Sequence, residues 1–178
     1  MLNGPPGCGK STLAEMYVNE HPLALNLDID RLRSMIGQWQ RDPSTAGHLA
    51  RTIALAAART HLASGHDVVI PQFLGRPELL EQVEHLASEV SAEFHEIVLL
   101  DTKENAARRF TERTRAALDP SHVEAHELLL SSEGGLEELS VMHDKLLSIV
   151  ATRPTAKVVP TQSGQVDKAY RDFLSVLS

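Results

Sequence analysis

The chain has 178 residues, of which 42% are hydrophobic and 23% are charged, and this is the size and composition of one compact globular domain. Its net charge of -7 and the lack of a basic block disfavour a long nucleic acid as the ligand. No apolar run approaches the roughly 20 residues that span a bilayer, and a single cysteine, Cys8, excludes an internal disulfide. We therefore expect one domain over residues 1–178, cytoplasmic and without a membrane partner.

The first distinctive segment is GPPGCGKST, from Gly4 to Thr12. Glycine accepts positive φ angles and proline removes amide donors, so the segment is a poor helix and a poor strand. The following run, STLAEMYVNE, predicts a helix with Leu13, Met16 and Tyr17 on one face. A glycine loop that ends at a helix N-terminus directs several free N–H groups at one spot, which suits a phosphate.

The spacing of this segment, G-x-x-x-x-G-K-S, is that of a phosphate-binding loop and predicts ATP and Mg²⁺ as ligands. In such a loop Lys10 reaches the β- and γ-phosphates and the hydroxyl of Ser11 is a magnesium ligand. Cys8 occupies a position that needs only its backbone N–H. The predicted nucleotide-binding residues are Gly4, Pro6, Gly7, Cys8, Gly9, Lys10, Ser11 and Thr12.

An apolar run that ends in two carboxylates follows, PLALNLDID, and it predicts a buried parallel strand over residues 22–30. Residues i and i+2 leave a strand on the same side, so Asp28 and Asp30 are expected to face the γ-phosphate together. We assign Asp28 to the magnesium site and Asp30 to the acceptor hydroxyl. The alternative is that one of them only caps the helix RLRSMIG.

Helices and strands alternate along the rest of the chain. The predicted helices are AGHLARTIALAAARTHLASG, PELLEQVEHLASEV, TKENAARRFTERTRAAL, the pair VEAHELLLSS and LEELSVMHDKLLSIVATR, and VDKAYRDFLSVL. The predicted strands are HDVVIP, FHEIVLL and AKVVP. The first of these helices has Leu49, Ile53 and Ala56 or Ala57 in register. This alternation predicts a three-layer α/β fold, with a parallel sheet covered by helices on both faces and ligands at the carboxyl ends of the strands.

Four arginines lie within RRFTERTR: Arg108, Arg109, Arg113 and Arg115. Guanidinium groups bind phosphate oxygens bidentately and stabilise charge on a transferring phosphoryl group. Arg109 and Arg113 share a helix face as i, i+4 neighbours, so we predict that these two residues close over the phosphates as catalytic groups. A solvated basic face is the alternative.

In this order, GPPGCGKST, LDIDRLRSMI and RRFTERTR resemble the P-loop kinases that phosphorylate small hydroxyl acceptors. This group includes the 5′-polynucleotide kinase domain, chloramphenicol phosphotransferase, shikimate kinase, and AAA-type and zeta-toxin proteins. The resemblance covers most of the chain and implies the P-loop nucleoside-triphosphate-hydrolase fold, with a five-stranded parallel sheet and a helical lid at about residues 103–135. In that group an Asp after the second strand activates or orients the acceptor hydroxyl, and an Arg three residues later contacts acceptor or phosphate. Asp30 and Arg33 match these positions.

The end of the third predicted strand departs from this pattern. Such kinases often carry an Asp there that organises Mg²⁺ or substrate, whereas this chain has Pro71 and Gln72. A neutral glutamine cannot replace a metal-linked carboxylate, but it can hydrogen-bond a polar acceptor. We therefore expect Gln72 and Arg76 to contact the acceptor; the alternative is a surface turn before a helix.

The sequence thus predicts an ATP-dependent phosphotransferase that moves the γ-phosphoryl of Mg-ATP to a hydroxyl of a small molecule, with Lys10, Asp30, Arg109 and Arg113 as catalytic residues. A polynucleotide or nucleoside 5′-hydroxyl kinase and a non-kinase ATP-binding regulatory or toxin-type protein are the alternatives. The sequence lacks the Asn/Thr-Lys-x-Asp stretch of a GTP switch, and VVIPQ stands where a mechanical ATPase would need a Walker-B acid. Both absences favour the kinase.

Overall fold

A computed structural model of the chain describes residues 1–115 and 137–177, without the side chains of residues 113–115. The strands are β1 (Leu2–Asn3), β2 (Leu25–Asn26), β3 (Val68–Val69), β4 (Ile97–Leu100) and β5 (Lys157–Pro160). The helices are α1 (Lys10–Glu20), α2 (Ile29–Ser34), α3 (Pro43–Ala63), α4 (Glu78–Glu89), α5 (Lys103–Arg115), α6 (Glu137–Val150) and α7 (Val166–Ser175), with a 3₁₀ turn at Trp39–Arg41. The helix predicted over VEAHELLLSS and most of the predicted lid lie outside the described residues.

All strands pair in parallel, and they divide into a three-stranded sheet in the order β1-β4-β5 and a two-stranded sheet, β2-β3. The two sheets meet at an isolated bridge between Leu2 and Pro71. There the N–H of Leu2 donates to the Ile70 carbonyl at 2.9 Å, and the N–H of Gln72 donates to the Leu2 carbonyl at 3.0 Å. The predicted parallel α/β fold is confirmed, but its strands form three plus two rather than one regular five-stranded sheet.

Pro71 gives a physical reason for the short pairing of β2 with β3. The ladder runs through N–H donation from Leu25 to Asp67 at 2.9 Å and from Leu27 to Val69 at 2.8 Å. The next bond in a parallel ladder would come from the N–H of Pro71, and proline has none. The pairing with β2 therefore ends just where the chain begins to pair with β1.

Two clusters of buried apolar side chains lie on the two faces of the strands. One joins β1, β4 and β5 to α1 and α7, with Leu13, Tyr17 and Phe173 at its centre. The other joins β2 and the end of β3 to α2, α3 and α4, and includes Ile70 and Leu80. The predicted arrangement of helices on both faces is therefore confirmed. In the ranges that the structure describes, no helix combines the length and the apolar character needed to cross a membrane.

The long helix α3 buries a stripe of alanines. The buried positions recur every four residues and are at most 4% exposed: Ala46, Ala50, Ala54 and Ala58. Leu49 and Ile53, which the pattern placed in register, are 49% and 46% exposed. The helix was predicted over residues 46–65 and is observed at Pro43–Ala63, so its existence was predicted correctly but its buried face was not. Alanine side chains allow a close approach to the neighbouring helices, and periodicity of the larger residues does not report such a face.

Candidate active site

The phosphate-binding loop joins β1 to α1 and depends on glycine at two kinds of position. Gly9, the residue before α1, has φ 98°, a left-handed conformation that side chains disfavour. Gly7 has φ 83°, and a Cβ there would lie 2.9 Å from the Ala106 carbonyl oxygen and 3.0 Å from the Phe110 nitrogen. The loop therefore packs directly against the backbone of α5.

The N-terminus of α1 has the features of an anion site. No side chain caps this helix end, and no acidic residue lies in its first turn. The first N–H groups of a helix have no intrahelical acceptor and carry the positive end of the helix dipole. The ammonium of Lys10 adds a full charge against the loop, where it donates to the carbonyls of Gly4 at 2.8 Å and Pro5 at 3.0 Å. These groups fit the phosphates of a nucleotide.

Two of the predicted loop residues are held by packing. A Cβ at Gly4 would lie 2.6 Å from both the Cys8 sulfur and the Leu99 carbonyl oxygen, so only glycine fits there. The side chain of Cys8 is buried beneath the loop, and its N–H donates to the Pro5 carbonyl at 3.3 Å. The buried side chain and the backbone hydrogen bond of Cys8 therefore help to fix the conformation of the loop.

Asn3, which sequence reasoning missed, links the loop to the connection between β3 and α4. Its side chain is fully buried, and its Oδ1 accepts from the N–H of Gly4 at 2.8 Å and from the N–H of Leu74 at 2.9 Å. Its Nδ2 lies 3.5 Å from the Leu74 carbonyl. Asn3 could have been identified from the sequence as a polar residue at the end of an apolar strand, directly before the loop.

Asp28 caps α2. The strand ends at Asn26, so the expectation that Asp28 and Asp30 leave a strand on the same side is wrong. Asp28 Oδ1 accepts from the N–H of Asp30 at 2.9 Å and from that of Arg31 at 3.2 Å. Burial raises the pKa of the Asp28 carboxyl above its ordinary value, and these hydrogen bonds partly oppose the rise. Asp28 therefore caps the helix, and whether it also binds magnesium stays a prediction.

Asp30 and Arg33, the two residues that match the family pattern after the second strand, form an ion pair on α2. Arg33 Nη2 lies 3.2 Å from Asp30 Oδ1, and the guanidinium carbon lies 4.7 Å from the centre of the Trp39 ring. The side chain of Asp30 is 49% exposed. Arg31 pairs with Glu15 at 3.2 Å and so ties α2 to α1, the helix that follows the phosphate loop.

The two residues predicted at the end of β3 have different surroundings. Gln72 lies beside β1 through the hydrogen bond from its N–H to Leu2, and its Oε1 is buried with no hydrogen-bond partner among the described residues. Arg76 is exposed just before α4. The structure thus brings Gln72 to the edge that carries the loop, and it leaves Arg76 at the surface.

Arg109 is held by two neighbouring strand ends. Its Nη2 lies 2.7 Å from Asp101 Oδ2, after β4, and 3.2 Å from Thr161 Oγ1, after β5. Arg108 is exposed instead and donates to Asn105 Oδ1 at 3.0 Å. The backbone of Arg113 belongs to α5, but its side chain and residues 116–136 lie outside the described structure, so a joint role for Arg109 and Arg113 stays a prediction.

The donors near the loop fit a magnesium ion that arrives with a nucleotide. The described part of the chain contains no group of three or more His, Cys, Asp or Glu side chains placed to hold a metal by themselves. Magnesium in phosphoryl-transfer sites is typically held by one or two protein oxygens, phosphates and water. The Ser11 hydroxyl in the loop is an oxygen of this kind, and so is Asp28 Oδ2, which does not cap the helix and lies 4.0 Å from Arg31 Nε.

A cavity of about 650 Å³ lies at the opposite edge of the sheets, where β3 and β4 begin. Its lining includes Tyr17, His66, Asp67 and His95 and none of the predicted site residues. The candidate site is therefore defined by the loop and the strand ends around it.

Parallel strands that deliver a glycine-rich loop, a lysine and a serine to a helix N-terminus define a P-loop nucleotide-binding protein. A sequence model of the family described as "AAA domain" matches residues 1–133, and the chain belongs to this family. A gluconokinase from Sinorhizobium meliloti 1021 has a similar structure, with a TM-score of 0.60 at 18% identity over 99% of this chain and 89% of that chain. No curated protein matches the sequence significantly. The resemblance to P-loop kinases is confirmed at the level of family and fold.

Proposed function

We propose that the protein is an ATP-dependent phosphotransferase that moves the γ-phosphoryl of Mg-ATP to a hydroxyl of a small molecule. One observation carries this proposal: the pair of Asp30 and Arg33 follows β2, on the same edge of the parallel strands as the loop that follows β1. A phosphate loop alone would serve any nucleotide-binding protein. A carboxylate beside a guanidinium on that edge supplies the groups that transfer to a hydroxyl needs, an acid–base group and an anion contact.

On the nucleotide side, the loop amides and Lys10 bind the phosphates. Lys10 already lies against the loop, where it contacts carbonyl oxygens that phosphate oxygens would replace. Magnesium, when bound, neutralises charge on the β- and γ-phosphates, with Ser11 and Asp28 as its protein ligands. Arg109, on the helix whose backbone packs against the loop, is proposed to supply a further positive charge, and Arg113 is proposed to act with it.

On the acceptor side, Asp30 orients the hydroxyl and receives its proton. The acceptor oxygen forms a bond to the γ-phosphorus, the bond from that phosphorus to the β–γ bridging oxygen breaks, and ADP leaves. Arg33, stacked on Trp39, contacts the acceptor or the transferring group. Gln72 and Arg76 are proposed as further acceptor contacts, and the unpartnered Oε1 of Gln72 supports this for a hydroxyl or amide donor.

The test is acceptor-dependent formation of ADP from Mg-ATP by the purified protein. The first compounds are gluconate and related polyols, because a protein of similar structure is a gluconokinase. Nucleosides, 5′-hydroxyl oligonucleotides, and aminoglycoside- and phenicol-type compounds complete the panel. We expect one class of small alcohol to raise the rate of ADP formation and to become phosphorylated.

Lys10→Ala should abolish this turnover and leave the fold intact, because the lysine acts at the loop rather than in the core. Lys168→Ala is the matched control, since Lys168 is an exposed lysine paired with Asp172 at 2.6 Å on α7. Near-normal turnover by the Lys10 variant would refute the proposed nucleotide site. Preferred phosphorylation of an oligonucleotide would establish the polynucleotide kinase, and ATP binding without any acceptor-dependent turnover would establish the regulatory alternative.

A further inference from the structure

We propose that Asp101 is a positioning residue: it fixes the guanidinium of Arg109 beside the phosphate loop, so that Arg109 contacts the nucleotide phosphates from a preset position. The proposal rests on the nucleotide-binding half of the proposed function and adds a residue to it. Asp101 directly follows β4, and no motif in the sequence marks it.

The carboxylate of Asp101 is only 3% exposed and makes contacts through both oxygens. Oδ1 accepts from the N–H of Thr102 at 2.7 Å and from Asn105 Nδ2 at 3.0 Å, contacts that hold it to the first turn of α5. Oδ2 lies 2.7 Å from Arg109 Nη2, an ion pair by distance whose angles are not those of a hydrogen bond. The carboxylate is therefore itself held in place, which a group that positions another must be.

Arg109 is also held from the other side. Thr161 Oγ1 lies 3.2 Å from the same Nη2, and the N–H of Thr161 donates to the Leu100 carbonyl at 2.7 Å. The side chain of Arg109 is 16% exposed, so an arginine that normally has many rotamers is confined to one region. Both contacts are made by Nη2, and Nε is buried without a hydrogen-bond partner among the described residues.

The helix that carries Arg109 is the one that touches the loop. A Cβ at Gly7 would meet backbone atoms of Ala106 and Phe110, and Arg109 lies between these two residues on α5. Asp101 anchors the first turn of this helix through Asn105, and its carbonyl oxygen lies 3.1 Å from His143 Nε2 on α6. Asp101 therefore fixes both the side chain of Arg109 and the helix segment beside the loop.

A preset charge binds its ligand without the cost of ordering a flexible side chain. Asp101→Asn keeps an oxygen for the contacts with Thr102 and Asn105 and removes the ion pair with Arg109. We expect this variant to raise the dissociation constant for Mg-ATP by about 10-fold, the order of loss that follows when one hydrogen bond to a charged group is weakened. We expect Asp101→Asn to change the affinity for Mg-ATP only by changing the position of Arg109.

The experiment is a double-mutant cycle on Mg-ATP affinity, with thermal unfolding of every variant measured in parallel. It compares Asp101→Asn, Arg109→Gln and the double variant. A residue that acts only through Arg109 has no further effect once Arg109 is replaced, whereas a merely structural role costs the same affinity in both backgrounds. Asp144→Asn is the matched control, because Asp144 on α6 forms an exposed ion pair at 2.7 Å with Lys103 on α5, the helix that carries Arg109, and its replacement should leave affinity unchanged.

Thr161→Val is a second route, in case Arg109→Gln fails to fold because it leaves a buried carboxylate unpaired. This variant removes the contact of Arg109 with the Thr161 hydroxyl and leaves the ion pair with Asp101 in place. We expect about a 3-fold loss of affinity for Mg-ATP, since a hydrogen bond to a neutral group is weaker than an ion pair. Wild-type affinity in both Asp101→Asn and Thr161→Val, or equal losses in both Arg109 backgrounds, would overturn the proposal. If the cycle behaves as expected but no acceptor is phosphorylated, the transferase proposal fails and the role of Asp101 stands.

Discussion

Replacing Asn3 by alanine should destabilise the protein and loosen the loop. The change removes the oxygen that accepts from the buried N–H groups of Gly4 and Leu74, at 2.8 Å and 2.9 Å. Each buried donor left without an acceptor costs about 1–3 kcal/mol, so the two predict a loss of about 2–6 kcal/mol in the free energy of unfolding. A domain with a total stability of about 5–15 kcal/mol would lose a large part of it.

The assay is urea unfolding followed by circular dichroism, with Asn26→Ala as the matched control. Asn26 ends strand β2, and its Oδ1 is buried without a hydrogen-bond partner in the described structure. Replacing Asn26 therefore leaves no buried N–H group without its acceptor. We expect the free energy of unfolding to fall by less than about 1 kcal/mol. If Asn3→Ala costs no more than Asn26→Ala, the reasoning about the Asn3 hydrogen bonds is wrong.

Two carboxylates of the candidate site give further predictions. Asp30→Asn should lower kcat by about 10²–10⁴-fold, the scale of a positioned acid–base group, with little change in ATP affinity; steady-state kinetics and direct ATP binding test this. Asp28→Ala should cost about 0.5–2 kcal/mol of stability through the lost helix cap, whereas Asp28→Asn keeps a good cap and should unfold like the wild type. Turnover lost in Asp28→Asn at normal stability would support the magnesium role. A larger loss of turnover there than in Asp30→Asn would mean that the two roles are inverted.

The sequence was most informative where one contiguous segment determines the geometry. The phosphate loop needs a fixed spacing of glycines, a lysine and a serine, and the structure places Gly7 and Gly9 in the positive-φ conformations that the motif requires. The Asp-x-x-Arg spacing of Asp30 and Arg33 is equally local, and the two side chains meet because residues three apart on a helix are neighbours. The order of helices and strands along the chain predicted the parallel α/β class, because each element could be assigned from its own local pattern.

Features that depend on distant partners were missed. Asn3 bonds Leu74 across 71 positions of the chain, and Arg109 reaches Thr161 across 52 positions. Asp28 shows a different limit: the run PLALNLDID looked like a strand through Asp30, but the strand ends at Asn26 and Asp28 turns the chain into α2. The pairing of β2 with β3 ends because Pro71, just after β3, has no N–H to donate to β2. Local hydrophobicity does not indicate such a missing donor.

The division of the strands matches the division of labour in the proposed reaction. The sheet β1-β4-β5 ends in the phosphate loop, Asp101 and Thr161, which are the groups assigned to the nucleotide. The pair β2-β3 leads into α2, with its Asp30–Arg33 pair, and into Gln72, which are the groups assigned to the acceptor.

The bridge at Leu2 and the hydrogen bonds of Asn3 lie where these two halves meet. In-line transfer requires the two substrates to be aligned closely. The contacts of Leu2 and Asn3 between the two groups of strands would therefore matter for this alignment as well as for stability. Asn3 bonds the first loop residue on one side and the connection after β3 on the other. In the proposed reaction it therefore sets how the acceptor groups stand relative to the phosphates, although it is expected to touch neither substrate.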